Sequence, residues 1–286
     1  MNQNNILIFD YELELLNELQ SYQIIARLSG YNNVLDTFYR CKEKNNIFAL
    51  WLDLPYTSLT QIPFEDSWEN VPFIVNTYNL GNLSKFFNEL QLIQRLNIRV
   101  FLPASNSETF HSLKILSSLG IDCGIILDGK VNDESFLDLA SYFFMSPIPH
   151  ASIEPFDFIW RNINQEKNID FSTIFFENPQ KYLFVDSDLN VSFTKEGLQS
   201  PICKLHDFNN QQYDFTVEYK LKNYYSHFSN LDDCSKCPAF KICNRKVKKN
   251  IFTNCCSVFS EIYEYAEIKD QMENNNKISK KEICQL

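Results

Sequence analysis

The chain has 286 residues, of which 44% are hydrophobic and 15% aromatic, and its formal net charge is −10. This composition argues against a disordered chain, and the acidic balance disfavours a nucleic-acid binder, because neutralising phosphates requires a basic surface. The amino-terminal residues lack the features of a signal peptide, and no apolar stretch is long enough to span a bilayer. We therefore expect a cytoplasmic globular protein that binds neither nucleic acid nor a membrane.

The first 155 residues alternate short apolar runs with amphipathic ones, which predicts parallel strands joined by helical crossovers. The predicted strands cover residues 6–9, 48–52, 71–75, 98–102, 124–127 and 151–153. The predicted helices cover residues 12–28, 84–96, 107–119 and 133–144. Six such units predict an α/β fold of the partial (β/α)6 barrel type, since the closed barrel has eight.

The pattern changes after Pro155. Residues 181–185 and 190–194 are apolar runs on either side of a short polar stretch, which predicts a β-hairpin. Two further helices are predicted over residues 214–228 and about 257–268. The chain is therefore predicted to consist of a barrel domain, residues 1–165, and a small cysteine-rich α+β domain that binds metal, residues 166–286.

Nine cysteines in a chain expected to be cytoplasmic indicate metal or redox chemistry rather than a set of disulfides. Cys41 and Cys123 lie inside apolar periodic segments, where cysteine is usually a buried thiol without reactivity. Cys203 stands by itself between these segments and the cysteine-rich part of the chain. The candidates for metal ligation are therefore the cysteines that follow it.

Cys234, Cys237, Cys243, Cys255 and Cys256 form a pattern typical of metal ligation. Two cysteines three residues apart can turn both thiolates toward one ion, and Cys243 can add a third thiolate. Cys255 or Cys256 can supply the fourth from the start of the last predicted helix, where the helix dipole favours a thiolate. Thiolates suit both zinc and iron–sulfur clusters, but zinc ribbons more often contain two close cysteine pairs. The pattern therefore favours an iron–sulfur cluster and leaves zinc as the alternative.

The motif Cys234-x2-Cys237-x5-Cys243 resembles the core of the SPASM domain, the auxiliary-cluster module of many peptide-modifying radical SAM enzymes. The proline after Cys237, the late cysteine at position 255 or 256 and the predicted hairpin over residues 184–191 are similar to that module too. A partial barrel precedes this module in radical SAM enzymes. The resemblance implies one auxiliary 4Fe–4S cluster and a role in the maturation of a ribosomally made peptide.

The chain also departs from that family. A radical SAM enzyme needs three cysteines after its first strand, whereas the first cysteine of this chain is Cys41. The family's second strand usually ends in a glycine-rich turn that meets SAM, and the place matched to it, residues 53–56, has no glycine. The resemblance therefore implies a pseudo-radical-SAM domain that binds no SAM. Val247 and Thr194 stand near positions where a second cluster would need cysteines, and Cys203 is either an orphan or a substitute ligand.

Five other side chains are candidates for a site at the mouth of the predicted barrel: Asp10, Asp53, Asp128, His150 and Glu154. All stand at or near the ends of predicted strands, where barrel folds place their active sites. Carboxylates at strand ends also cap loops and helices, so a structural role is the alternative.

A run of basic residues surrounds the cysteine motif and comprises Lys241, Arg245, Lys246, Lys248 and Lys249. In an acidic protein, such a run is either a solvated face or a docking surface for an acidic peptide.

These observations predict an iron–sulfur-binding accessory protein that is not an active radical SAM enzyme. Its expected partners are a peptide substrate or precursor and a maturation enzyme, for which the barrel would be a binding platform. Two alternatives stay open. One is a peptide-modifying enzyme that uses the barrel mouth and the auxiliary cluster, and the other is a zinc-stabilised interaction protein.

Overall fold

The structure, a computed structural model, describes residues 5–20, 22–164, 173–208, 217, 252 and 255–283, and in the last range it describes the side chains of residues 257–274. It is an α/β protein whose sheet strands are mostly parallel. The chain divides into two compact units, Met1–Leu102 with Ser172–Asp232 and Pro103–Phe171 with Asp233–Leu286. Each unit therefore combines two separate stretches of sequence.

The strands and helices of the described residues are numbered here in chain order. The strands are Ile6–Asp10 (β1), Gln23–Leu28 (β2), Asn46–Leu54 (β3), Phe73–Thr77 (β4), Ile98–Pro103 (β5), Cys123–Ile126 (β6), Ile153–Glu154 (β7), Tyr182–Val185 (β8), Asn190–Ser192 (β9) and Cys203–Lys204 (β10). The α-helices are Leu13–Glu18 (α1), Val34–Lys44 (α2), Leu83–Arg95 (α3), Thr109–Ser118 (α4), Asp133–Met145 (α5), Phe156–Asn162 (α6) and Cys255–Ile283 (α7).

The first unit is built on a sheet in which β1 to β5 lie side by side in chain order. Strands β1 to β5 pair in parallel, and β8 pairs in parallel with the other side of β1. The β8–β9 pair is an antiparallel hairpin, and β10 pairs antiparallel with β9. Because β1, β2 and β3 run in the same direction, their carboxyl ends lie along one edge of the sheet. This edge positions the candidate site.

The second unit has a helical core packed beside the short parallel pair formed by β6 and β7. Helix α7 packs against α5 and α6. The ring of Phe136 on α5 is fully buried, and its centroid lies 5.1 Å from that of Phe156, 4.9 Å from that of Phe252 and 6.2 Å from that of Phe259. Burying large aromatic rings in contact is a strong stabilising contribution, so these rings fix α7 to the unit.

The prediction of one helix over residues 12–28 is wrong in its second half. Helix α1 ends at Glu18, and residues 23–28 form β2. Five of the six residues of β2 are buried, as expected for a strand covered on both faces of a parallel sheet. Such a strand has no period of two, so its apolar positions continue the helical spacing of α1 without a visible break. The predicted count of six units omits this strand.

Most other predicted elements are confirmed. Strands β1 and β3 to β7 correspond to the six predicted strands, and α3, α4 and α5 to three of the predicted helices. The hairpin is present as β8 and β9, with Asp186 Oδ1 accepting hydrogen bonds from the backbone N–H groups of Asp188 and Asn190 in its turn. Helices α2 and α6 were not predicted, and α7 extends beyond the predicted end near residue 268.

The predicted division at residue 165 stays a prediction, although β8 and β9 belong to the same unit as β1. The helix expected over residues 214–228 lies outside the described residues except at Val217, and most of the cysteine-rich segment lies outside them too. Within the part of the chain that the structure describes, no helix is both long and apolar enough to cross a membrane.

Candidate functional site at the carboxyl ends of the parallel strands

Three charged residues meet at the carboxyl ends of β1, β2 and β3. Asp10 is the last residue of β1 and pairs in register with Arg27 of β2. Arg27 in turn pairs with Trp51 of β3, and Asp53 lies two residues further along that strand. Ligand sites in α/β proteins form preferentially at this edge of a parallel sheet. The register therefore brings two carboxylates and a guanidinium together where a ligand could bind.

Arg27 is the centre of this group, and only 5% of its side chain is exposed. Its Nη1 lies 3.1 Å from Asp10 Oδ1, and its Nη2 is paired with Asp53 Oδ2. The guanidinium also lies over the ring of Trp51, with its carbon 5.1 Å from the ring centroid. A buried cation needs such partners, since desolvation otherwise costs several kcal/mol. The Nε–H group has no hydrogen-bond partner among the described residues.

The two carboxylates have different surroundings. Asp53 is 25% exposed and is surrounded by donors, because Asn76 Nδ2 donates to its Oδ1 at 3.4 Å and Lys195 Nζ lies 3.7 Å from its Oδ2. Asp10 is 71% exposed and has Arg27 as its ion-pair partner among the described residues. A carboxylate can accept about four hydrogen bonds, so Asp10 keeps unused acceptor capacity.

Lys195 reaches the group from the loop that follows β9. A 3₁₀ turn at Glu196–Gln199 begins directly after it. A Cβ atom at Gly197 would lie 2.1 Å from Ser192 Oγ, so a residue without a side chain lets this turn pack against β9. The backbone N–H of Gly197 donates to Thr194 Oγ1 at 3.1 Å and further fixes the turn. Lys195 itself is half exposed.

These four charged residues line a pocket of about 500 Å³ in the first unit. The loop from Leu28 to Asn32, which leads from β2 to α2, completes the wall together with Tyr11. Burial raises the pKa of Tyr11, which therefore presents a neutral hydroxyl over a wide pH range. Two cations and two anions leave the pocket formally neutral but strongly dipolar. Such a pocket can bind a polar ligand that carries both hydrogen-bond donors and acceptors.

Of the five residues predicted at the barrel mouth, the structure brings Asp10 and Asp53 together through Arg27. Asp128 belongs to the second unit and has partners of its own. Its carboxylate accepts hydrogen bonds from the backbone N–H and the hydroxyl of Ser105, at 3.1 and 2.7 Å. This contact ties the loop after β5 to the loop after β6, which is a structural role.

His150 and Glu154 also belong to the second unit. The ring nitrogens of His150 lie 3.1 Å from the carbonyl oxygen of Ala151 and 3.0 Å from that of Phe143. Glu154 is buried, and its Oε2 accepts a hydrogen bond from the backbone N–H of Phe158 at 3.1 Å, in the first turn of α6. These contacts are typical of side chains that fasten loops and helix ends.

Sequence reasoning missed Arg27 and Lys195. Arg27 was assigned to a helix, where an arginine is ordinarily a surface residue. One signal was present: an arginine enclosed by the apolar run of residues 24–28 must be paired if that run is buried. No local signal marks Lys195, because its partner Asp53 lies far away in the sequence.

The matching of residues 53–56 to the glycine-rich turn of radical SAM enzymes is wrong. Asp53 lies on the third strand, since β2 precedes β3 in the chain. The turn after the second strand contains Ser29 and Gly30, which line the pocket. The case against SAM binding therefore rests on the missing cysteines alone.

Cys234, Cys237 and Cys243 lie outside the described residues, as does the basic run from Lys241 to Lys249. Cys255 and Cys256 are the first residues of α7, as expected from the sequence, but their side chains are not described. Among the residues whose positions are described, no group of three or more His, Cys, Asp or Glu side chains could hold a metal ion. The cluster ligands stay a prediction.

The remaining thiols with described surroundings are Cys41, Cys123 and Cys203. Cys41 and Cys123 are fully buried, which confirms their prediction as buried thiols. Burial raises the pKa of Cys41 to about 12, so this thiol stays protonated at physiological pH. Cys203 is partly exposed on β10 opposite Val191, and burial raises its pKa as well. Its role as orphan or ligand stays a prediction.

The charged pocket of the first unit is the candidate functional site, because it combines a cavity of ligand size with converging charged groups at the carboxyl edge of a parallel sheet. Comparisons with protein-family models, with curated proteins and with solved structures found no match for this chain.

Proposed function

We propose that this chain is an iron–sulfur-binding accessory protein in the maturation of a ribosomally made peptide. It holds the peptide, or the enzyme that modifies it, and does not generate a radical itself. The observation that carries this proposal is the ion pair between Asp10, the last residue of β1, and Arg27 of β2, in a chain with no cysteine before Cys41.

In a radical SAM enzyme, the residues after the first strand supply three thiolates. Here that strand ends in Asp10, whose carboxylate pairs with Arg27, and the same guanidinium pairs with Asp53. Three side chains from three adjacent strands are thus committed to one another. An edge of this kind supports binding of a polar ligand, because fixed charges recognise a complementary partner without reorganising.

The parallel strands are proposed to form part of an open barrel. Two observations support this. Strands β1 to β5 are neighbours both in the chain and in the sheet, and β8 pairs with β1 on the side away from β2. This strand order is the one a (β/α) barrel requires.

The 4Fe–4S cluster is proposed to bind to Cys234, Cys237, Cys243 and either Cys255 or Cys256. The donor set fits, because thiolates are the ordinary ligands of such clusters and the N-terminus of a helix such as α7 favours a thiolate. The cluster, when bound, fastens the cysteine-rich segment and can accept or donate an electron. The chain's own contribution is to hold α7 against α5 and α6, which ties the fourth ligand to the second unit.

Metal analysis of anaerobically purified protein tests the cluster. We expect about four iron and four sulfide per chain, with the brown colour of an iron–sulfur protein. Cys237→Ala should abolish iron binding, whereas Cys41→Ala is the control that retains it. Cys203→Ala should leave the iron content largely unchanged, as expected for an orphan cysteine. One equivalent of zinc without iron would contradict the proposal and favour the zinc-stabilised interaction protein.

The absence of radical chemistry and the binding role need separate assays. Reduced and reconstituted protein should give no 5′-deoxyadenosine from SAM above a control without protein. Where the host genome encodes a short peptide beside this gene, that peptide should bind with a micromolar Kd in calorimetry and should not be altered. Turnover of that peptide by the isolated protein, lost in Asp10→Asn, would instead establish the peptide-modifying enzyme.

A further inference from the structure

The pocket at the carboxyl ends of β1, β2 and β3 has a charge pattern that limits what it can bind. Arg27 is not available as an anchor for an anion, because its guanidinium is 5% exposed and already paired with Asp10 and Asp53. Asp53 is likewise occupied, since it also receives Asn76 and faces Lys195. The internal charges therefore fix the geometry of the pocket and leave little capacity for a ligand.

Asp10, Arg27, Asp53 and Lys195 form a row of ion pairs. The unused capacity for hydrogen bonds lies at the two ends of this row. Asp10 is 71% exposed, and its carboxylate can accept further hydrogen bonds from a ligand. Lys195 is 51% exposed, and its ammonium, with three donors, makes one long contact of 3.7 Å to Asp53. One end of the row of ion pairs thus offers a negative group and the other a positive group, each accessible to solvent.

The remaining wall combines small polar residues with Leu28 and the ring of Tyr11. Ser29, Gly30 and Asn32 contribute hydroxyl, backbone and amide groups, and Tyr11 adds a phenol whose pKa is raised by burial. The volume of about 500 Å³ lies within the range of small-molecule sites. A large apolar ligand would leave these polar groups unpaired, so the lining selects a small polar one.

We propose that this pocket binds a zwitterion of the amino-acid or short-peptide class, with its ammonium group at Asp10 and its carboxylate at Lys195. The proposal deepens the peptide-binding function given above and rests on it. A ligand with only one of the two charges would satisfy only one end of the row. Opposite charges on one ligand match both ends and leave the pocket neutral.

Calorimetry with blocked ligands tests the two contacts separately. The probes are the dipeptide Ala-Ala, its N-acetyl derivative and its C-terminal amide. We expect each modification to weaken binding about tenfold or more, because each removes a charge-assisted hydrogen bond. Equal binding of all three probes, or no measurable binding of either Ala-Ala or free alanine by the wild type, would overturn the proposal.

Variants assign each contact to its residue. Asp10→Asn should weaken the binding of Ala-Ala about as much as N-acetylation of the dipeptide does. Acetylation should then have little further effect on binding to the variant, because both changes remove the same interaction. Lys195→Gln should behave in the same way with the C-terminal amide. The matched control is Lys85→Gln, since Lys85 Nζ also lies 3.7 Å from a carboxylate, that of Glu89, and its side chain is exposed to nearly the same degree. Thermal melting curves check that every variant folds.

The series of free alanine, Ala-Ala, tri-alanine and the full-length peptide separates the sources of the zwitterion. Tightest binding of free alanine assigns the pocket to a free amino acid, and tightest binding of the di- or tripeptide assigns it to a short peptide. If the full-length peptide binds but is unaffected by Asp10→Asn and Lys195→Gln, the pocket proposal fails and the proposed function survives. If the full-length peptide does not bind while Ala-Ala does, the peptide-holding role in the proposed function fails and the pocket proposal is retained.

Discussion

Each compact unit holds a cation that is at least partly removed from solvent, and the two units compensate its charge differently. In the first unit, Arg27 is paired with Asp10 and Asp53 at the edge of a pocket. In the second unit, Lys269 of α7 lies between aromatic faces, with Nζ 4.5 Å from the ring centroids of Phe143 and Trp160. Its ammonium also donates to the carbonyl oxygen of Phe143 at 3.1 Å.

The difference shows what each arrangement suits. Carboxylates at the end of a row of charges keep unused acceptor capacity, so the group around Arg27 can act on a ligand. Aromatic faces and a backbone carbonyl offer little beyond the cation they hold, so the contacts of Lys269 suit fastening a helix. Partial burial removes the ammonium of Lys269 from water and thereby lowers its pKa.

The aromatic core of the second unit should be the more sensitive to truncation. Phe136→Ala removes a fully buried ring that contacts three others, and we expect it to lower the free energy of unfolding by about 4 kcal/mol. Denaturant unfolding followed by circular dichroism measures this loss. Phe87→Ala, at a ring on α3 that is 52% exposed, is the control and should cost about 1 kcal/mol or less. Equal losses for the two variants would mean that the core of the second unit is not where its stability lies.

Removing Arg27, the ion-paired cation of the first unit, should have the second largest effect on the free energy of unfolding. Arg27→Met leaves Asp53 without its main partner at a partly buried position, and we expect a loss of about 3 kcal/mol. The control is Arg40→Met on α2, whose exposed pair with Asp36 should contribute little to stability. A loss below 1 kcal/mol for Arg27→Met would show that the two ion pairs of Arg27 contribute little net stability.

The aromatic-bound cation should have the smallest effect. Lys269→Met keeps most of the apolar stem but removes the hydrogen bond to the carbonyl oxygen of Phe143, so we expect a loss of about 1 kcal/mol near neutral pH. The pH dependence sharpens the test. Because the pKa of Lys269 is lowered in the folded protein, the unfolded chain binds more protons in the alkaline range. This contribution to stability is therefore lost as pH falls through the folded pKa and fully present only above the ordinary lysine pKa of about 10.4.

The measurement for that prediction is the difference in unfolding free energy between the wild type and Lys269→Met at several pH values. The wild type should gain relative to the variant as pH rises toward 10. Lys42→Met, at an exposed lysine whose Nζ lies 5.7 Å from the ring centroid of Phe38, should show no such trend. A difference that shrinks with rising pH would mean that the ring faces outweigh desolvation at Lys269.

The sequence by itself determined most of the strands and helices, and the two buried thiols. Short apolar runs separated by polar stretches located β1 and β3 to β7, and helical spacing located α3, α4 and α5, because both patterns are visible in the chain. The turn at Asp186 marked the β8–β9 hairpin, since such side chains bond their own backbone. Cys41 and Cys123 were recognisable from the apolar segments around them.

The tertiary structure alone decided the pocket. Strand β2 is covered on both faces, so its residues carry no period that separates them from a helix, and Arg27 was assigned to the wrong element. The partners of Arg27 come from strands before and after it in the chain, and Lys195 comes from beyond the hairpin. Such contacts depend on the order and register of strands in the sheet, which are set by long-range packing and not by any local pattern of residues.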